Sequence, residues 1–463
     1  MKPMTVWVAA AALCLVRPAW TQGYYVDEQS AKRLGDAFSG GAAEAEDAST
    51  AFYNPAGLTL LRQDELIVGM AAVRAAFDID AQGESLAAVT GPDSVLGTPI
   101  LGSGRASPDP IALIPHLYLA HPVTDRWALG LSLNTPYASG SEYDADFVGR
   151  YFSEESDILG VHLSLGTGFV LSDALSLGAG LNLQYLEGRI ARRINSAGYC
   201  AGAESLGLLA EGVCDASGIG PSGTGSSDGE FEVEGDDLGL GYTLGLLYQW
   251  SENTRLGFSF RSKIEHALRG PARFRFPANV EATIGGLGPD LSTRDTRAKV
   301  GITTPETASL SLYHRLSPRW TVQGDLGWTR WSRFKDFVVE IRDSGSRQTT
   351  PENWRDSWRL AVGTGYRLND RWTLRAGLAY DRTPIPDETV SLDFPYADFK
   401  AVSVGFTYRP SPSLSIDCGL QHTLPFKRRM RSGSLAIDQD AASLSAEVET
   451  EIDSFALGLR WRY

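Results

Sequence analysis

Six times along the chain a short polar turn leads into a segment whose apolar residues fall on alternate positions. The copies are TDRWALGLSL (124–133), SDALSLGAGLNL (172–183), SENTRLGFSF (251–260), SPRWTVQGDL (317–326), NDRWTLRAGLAY (369–380) and SPSLSIDCGL (411–420). Successive side chains of a strand point to opposite faces. In the fifth copy Trp372, Leu374, Ala376, Leu378 and Tyr380 share one face, while Arg371, Thr373, Arg375 and Gly377 share the other. One face is apolar with aromatic ends; the other is polar and small. Repeated this often, the pattern inverts a soluble core and predicts a transmembrane β-barrel, apolar outside and polar within.

Fourteen antiparallel strands are predicted, near 66–77, 111–121, 127–135, 157–170, 174–190, 237–250, 254–268, 304–316, 319–331, 354–368, 371–381, 398–409, 413–423 and 451–463. Short turns alternate with long connections at 78–110, 136–156, 191–236, 269–303, 332–353, 382–397 and 424–450, the asymmetry of an outer-membrane barrel. The last strand ends in Trp461-Arg462-Tyr463 after Phe455, Leu457 and Leu459, an aromatic terminus that resembles the signal read by the barrel-assembly machinery. Residues 23–62 are rich in Ala and Gly and lack alternation, so they are expected to form a helical plug within barrel 63–463. A barrel this wide would otherwise be a water pore.

Residues 1–22 read as a secretory signal peptide, with Lys2 before the short apolar run VWVAAAALCLV and small residues Ala19 and Thr21 near its end. The formal charge of −14 becomes −16 once Lys2 and Arg17 are removed, which excludes a general nucleic-acid binder. Of the remaining cysteines, Cys200 and Cys214 flank a Gly-rich loop and are expected to pair in an oxidising envelope, while Cys418 falls on the lipid face. The six histidines show no metal-ligand spacing, and no nucleophile elbow or phosphate-binding loop appears, so neither enzyme activity, cofactor nor metal is expected.

The segment Gly23–Leu61 with its Asn54-Pro55-Ala56 triplet resembles the plug of the FadL family of outer-membrane long-chain fatty acid transporters. The resemblance continues through NTPYASGSEYDADFVGRY (134–151), TPETASLSL (304–312), WTRWSRF (328–334) and NWRDSWRLAVGTGYRLNDRWTLRAGLAYDRTPIP (353–386). It departs at Phe394–Lys400, where the family tends to carry Pro-Asp-x-Asp-Arg, and in the cysteine loop at 191–236. Membership implies passive uptake of a long-chain fatty acid or similar hydrophobic molecule. The ligand docks on the loops at 191–236 and 269–303, enters a lumen pocket and leaves sideways through the wall.

On that reading Asn54, Pro55 and Ala56 seat the plug, and Asn134, Thr135, Pro136 and Tyr137 mark a kinked strand at a lateral opening. Tyr24 is expected to reach the ligand from the N-terminus, Arg189 and Arg192 to meet a carboxylate head, and Phe274 and Phe276 to supply apolar contacts. The inward-phased Arg359, Arg367, Arg371, Arg375, Arg460 and Arg462 are expected to pair with acids such as Asp36, Glu44, Glu46 and Asp47. Aromatic hydrocarbons are the alternative cargo; a general porin or an outer-membrane lipase is a more distant one. Nothing demands more than a monomer in outer-membrane lipid.

Overall fold

The computed structural model describes residues 23–90, 93–433 and 442–463, so the expected signal peptide lies outside the described residues. In chain order the strand segments are β1 (Glu65–Thr90), β2 (Asp93–Pro99), β3 (Arg105–Ala106), β4 (Ile111–Thr124), β5 (Trp127–Glu142), β6 (Glu155–Ser172) and β7 (Leu175–Ile194). Next come β8 (Gly229–Ser251), β9 (Thr254–Arg261), β10 (Ile264–Arg275), β11 (Arg294–Thr304), β12 (Thr307–Arg315), β13 (Trp320–Thr329) and β14 (Asp336–Ile341). The last are β15 (Arg347–Pro351), β16 (Ser357–Arg367), β17 (Trp372–Asp381), β18 (Phe399–Ser411), β19 (Leu414–Gly433) and β20 (Ala442–Arg462). Breaks divide four wall strands into β9/β10, β11/β12, β13/β14 and β15/β16, and β2 and β3 lie on the outer part of β1. The wall is therefore a closed fourteen-stranded antiparallel barrel. It closes where β1 pairs with β20, from Glu65 opposite Arg462 to Ser85 opposite Ala442, and with β4 on its other edge.

Side chains follow the predicted phase. On β20, Phe455, Leu457, Leu459 and Trp461 are exposed on the outside while Ala456, Gly458 and Arg460 are buried inside. Aromatic rings gather at the short-turn rim: Trp320 on Tyr366 and Trp372 on Tyr408, each at 4.6 Å between centroids, and Trp461 on Tyr463 at 4.9 Å. Such a girdle suits the membrane interface. Among the described residues no helix is long and apolar enough to cross a membrane.

Two expected loops are largely strand. β1 runs on to Thr90, and β19 and β20 extend through Gly433 and from Ala442. Beyond the lipid belt the alternation changes phase: Ala446, Val448 and Met430 point in, while Lys427–Glu449 (2.9 Å) and Arg429–Glu447 (3.0 Å) pair on the outer face. A lipid-facing template looks for apolar residues outside, so it stops where this phase change begins.

The plug is the expected lumen filling. The short helices Ala31–Leu34 and Thr50–Tyr53 and the 3₁₀ turn Pro55–Leu60 lie inside the barrel, almost wholly buried. Its charges are matched partly within itself: Lys32 Nζ sits 2.8 Å from Glu44 and 3.0 Å from Asp47, and Arg33 sits 3.1 Å from Glu44. Wall arginines complete the set, Arg460 at 3.7 Å from Asp47, Arg375 at 3.9 Å from Asp36 and Arg359 at 3.0 Å from Asp27. Arg462 instead meets Glu65 at 2.6 Å, and Arg367 and Arg371, in phase with the lumen, sit exposed at the short-turn rim.

Candidate functional site

Asn54 fixes the plug to the wall. Its Oδ1 accepts from the Ala56 N–H (3.1 Å), capping the 3₁₀ turn that Pro55 begins, and its Nδ2 donates to the carbonyls of Ala42 (2.7 Å) and Leu246 (3.0 Å). The approach is possible because the facing wall residues lack side chains. A Cβ on Gly178 would lie 2.1 Å from the Ala56 nitrogen, and one on Gly245 would lie 2.0 Å from Asn54 Oδ1.

The strand carrying Asn134–Tyr137 is irregular, as its proline predicts. The β5–β6 register shifts between Asn134 and Tyr137, and β5 pairs with β4 only up to Leu133. Past that point the edge facing β4 is taken by the N-terminal segment. Val26 N–H donates to Pro136 O and Ala138 N–H to Tyr24 O, both at 2.9 Å, and Tyr25 bridges Tyr137. Gln29 holds Thr135 from both sides, its Nε2 donating to the carbonyl (2.8 Å) and its Oε1 accepting from the N–H (3.1 Å). Asn134 Nδ2 donates to Tyr118 Oη at 2.6 Å. The wall irregularity is therefore closed from within by the N-terminus.

Tyr24 is fully buried at the centre of an aromatic plate. Its ring packs 4.8 Å from Trp331, 5.9 Å from Tyr137, 6.1 Å from Phe334 and 6.4 Å from Phe394, and its hydroxyl donates to Thr303 O at 2.9 Å. Above the plate, toward the long loops, lies a cavity of about 310 Å³. Ile158, Leu268, Val300, Ile302, Leu392 and Met430 supply much of its apolar lining. Its volume sits near the lower end of the roughly 300–1,000 Å³ usual for small-molecule pockets.

Arg189 and Arg192 both reach this cavity, but neither is bare. Arg192 pairs with Asp393 at 3.0 Å, and Arg189 with Glu155 at 3.1 Å and Glu232 at 3.2 Å. Glu352 also lines it and accepts from Trp354 Nε1 at 3.0 Å. Burial pushes its carboxyl up to about 8, against the smaller lowering effect of the Trp354 hydrogen bond, and the charge of Asp393 adds to the rise.

Phe274 and Phe276 lie elsewhere. Phe274 is fully buried against Phe231 (5.0 Å between centroids), with the Arg294 guanidinium 4.9 Å from its ring centroid. Phe276 packs against the cluster where the two long loops meet, around Ala197, Ile219, Val280 and Ile284. The Cys200–Cys214 disulfide belongs to that cluster. Leu206, Leu208 and Leu287 are exposed on the same loops. Sequence reasoning missed Glu352, Leu392 and Asp393, which loops carry back into the lumen. The only available sign was apolar residues such as Val390, Leu392 and Phe394 in a segment otherwise read as an outer loop.

The fold and the chain have known counterparts. At 27% identity over 459 residues, 98% of either chain, this protein is similar to the long-chain fatty acid transport protein of Escherichia coli O6:H1. It is 29% identical to the 47 kDa outer membrane protein of Pasteurella multocida, over 90% of this chain and 91% of that one. Its fold resembles that of a Pseudomonas aeruginosa FadL homologue, with TM-score 0.83 at 24% identity over 95% of this chain and 99% of the other. The P. putida toluene transporter TodX follows at TM-score 0.64 and 17% identity, over 92% of this chain and 98% of that one. Residues 12–463 match the family described as outer membrane protein transport protein (OMPP1/FadL/TodX), and the chain belongs to that family of Gram-negative outer-membrane transporters.

Proposed function

We propose that this barrel takes up long-chain fatty acids, or hydrophobic molecules of similar shape, by diffusion across the outer membrane. The observation that carries the reading is the apolar-walled cavity enclosed in the lumen between the outer loops and the aromatic plate. Exposed Leu206, Leu208 and Leu287 offer the first contact, and Arg189 and Arg192 meet the head at the cavity. Phe394 closes the cavity on the side of the plate, with Tyr24 packed behind it. Exit follows when the N-terminal segment releases the edge of β5 at Asn134–Tyr137 and the ligand passes sideways into lipid. The Asn54-Pro55-Ala56 seat holds the rest of the plug in place meanwhile, so no water-filled pore forms. The protein acts as a monomer without enzymatic activity or cofactor, is secreted through its signal peptide and is inserted by the assembly machinery through its last strand.

Aromatic hydrocarbons are a second reading with an observation in its favour. Both cavity arginines are already neutralised by acids, which suits an uncharged ligand. The deciding experiment is binding of radiolabelled oleate to the purified barrel with toluene as competitor. Saturable binding that toluene fails to displace supports the fatty acid reading; absent binding, or full displacement by toluene, moves the cargo to small hydrocarbons.

A further inference from the structure

Below the aromatic plate lies a second chamber of about 120 Å³, separate from the upper cavity and walled by Tyr25, Phe38, Phe52, Tyr53 and Trp331. Four of these aromatic residues come from the plug and one from the wall. Its charged lining comprises Arg261 on β9, Arg359 on β16, Asp27 of the N-terminal segment, Asp325 on β13 and Asp381 on β17. Most of these groups are matched. Arg359 sits 3.0 Å from Asp27 and 3.8 Å from Asp381. Asp325 accepts from Ser309 Oγ at 2.8 Å and from Ser311 Oγ.

Arg261 is the exception. It is 7% exposed, and among the described residues no carboxylate comes within ion-pair distance of its guanidinium. Its Nη2 donates to Phe52 O at 3.0 Å, its guanidinium also hydrogen-bonds the neutral Tyr25 hydroxyl and lies 4.1 Å from the Phe52 ring centroid, and its Nε has no hydrogen-bond partner. A stacked ring offsets only part of the cost of burying a cation, and removing a charge from water without a counter-charge is strongly unfavourable. A buried guanidinium in this state is suited to an anion that arrives from outside, bound through charge-assisted hydrogen bonds.

We propose that the inner chamber is a second station for the carboxylate of the transported amphiphile, with Arg261 as the receiving group. This rests on the uptake reading above. The upper cavity offers a carboxylate only arginines already held by acids, whereas the inner chamber offers one that is not. The aromatic walls accept the first segment of the apolar chain, and the station adjoins the Tyr25–Tyr137 bridge that closes the wall. The head thus gains its strongest partner next to the exit.

The test uses the full-length barrel in detergent and oleate labelled with ¹³C at the carboxyl, followed by calorimetry and carboxyl resonance, with oleyl alcohol as the uncharged control. The wild type is expected to show two bound carboxyl resonances, one remaining ionised to lower pH than the other. Arg261→Met should remove that more acidic site, or weaken it at least tenfold, and leave oleyl alcohol binding unchanged; Arg261→Lys should retain it. If Arg261→Met fails to assemble, judged by loss of heat-modifiable migration, Arg261→Gln decides by the same readings. Two unchanged resonances in the uncharged variant overturn the proposal, as does equal loss of oleate and oleyl alcohol, which marks a structural arginine. Absence of any oleate binding to the wild type instead removes the uptake reading on which the proposal stands.

Discussion

Replacing Lys32 with methionine keeps most of the side chain's bulk and removes one charge from the middle of the plug. Lys32 is 3% exposed, and its ammonium lies 2.8 Å from Glu44, 3.0 Å from Asp47 and 3.4 Å from Glu46. Without it Glu44 retains Arg33 at 3.1 Å, but among the described residues Asp47 retains Arg460, at 3.7 Å, as its only ion-pair partner, besides the neutral Ser49. Breaking a buried pair from one side costs about 3–5 kcal/mol, because the other charge stays buried. At about 1.4 kcal/mol per factor of ten, the plug should open some hundredfold to several thousandfold more often. The wall ladders do not involve Lys32, so the loss should stay local. Hydrogen exchange on the reconstituted barrel reads this directly, with wall peptides as the internal reference. Peptides from 30–61 should exchange at least about a hundredfold faster in the variant while wall peptides keep their rates. Ion conductance across a planar bilayer should rise as the lumen admits water. Unchanged protection of the plug would refute the reasoning, since the charge cluster would then not be what holds it. Equal loss in the wall would refute the claim of locality.

Four further outcomes are expected. Glu352, pushed up to about 8, is protonated in the folded state where the unfolded chain would be ionised. Its loop should therefore loosen as pH rises from about 4.5 to about 8 and change little above that, and Glu352→Gln should flatten that dependence in hydrogen exchange of 347–356. Asp393→Asn frees Arg192 and should tighten oleate binding about five- to thirtyfold, corresponding to about 1–2 kcal/mol, whereas Arg192→Ala should weaken it, both read by calorimetry. Gly178→Val places a side chain where the plug backbone lies and should raise bilayer conductance without loss of assembled barrel. Removing the Cys200–Cys214 bond, whose partners are 14 residues apart, should cost the outer loop about 3 kcal/mol, read as faster limited proteolysis of 191–236 with an unchanged melting of the barrel.

The wall was legible because its physics is local. Each strand faces lipid on one side, so period-two alternation of Phe455, Leu457, Leu459 and Trp461 against Ala456, Gly458 and Arg460 declares it without reference to any other strand. The Cys200–Cys214 pair and the plug's place in the lumen followed from compartment and composition. The lumen was not legible to the same depth. Phase shows which residues point inward but not which of them meet at one height. Tyr24 and Thr303 are 279 residues apart in sequence, and Arg359 bonds the carbonyl of Ala37 across 322. Nor does phase apply to Asp393 and Glu352, which enter the cavity from loops. The plug's internal pairs, Lys32 with Glu44 and Asp47, lie close in sequence, but alternation is silent about a segment that has no strand.

The closed wall at β5 also constrains how a ligand can leave. The proline-bearing stretch cannot complete its ladder with β4, and backbone groups left unpaired at a dry position are costly. The N-terminal segment supplies the partners: the bonds Val26–Pro136 and Ala138–Tyr24 and the two from Gln29 to Thr135. At about 0.5–1.5 kcal/mol net for each hydrogen bond, undoing four costs roughly 2–6 kcal/mol. Micromolar binding is worth about 8 kcal/mol, but only the difference in affinity between the closed and released states can shift the balance. A ligand that filled the upper cavity alone would bind both states alike and release nothing. One that displaces Tyr24 and Tyr25 as it moves past the plate substitutes its own contacts for theirs, and so favours the released edge. The strength of the closure thus sets a lower bound on the differential contact a cargo must make below the plate.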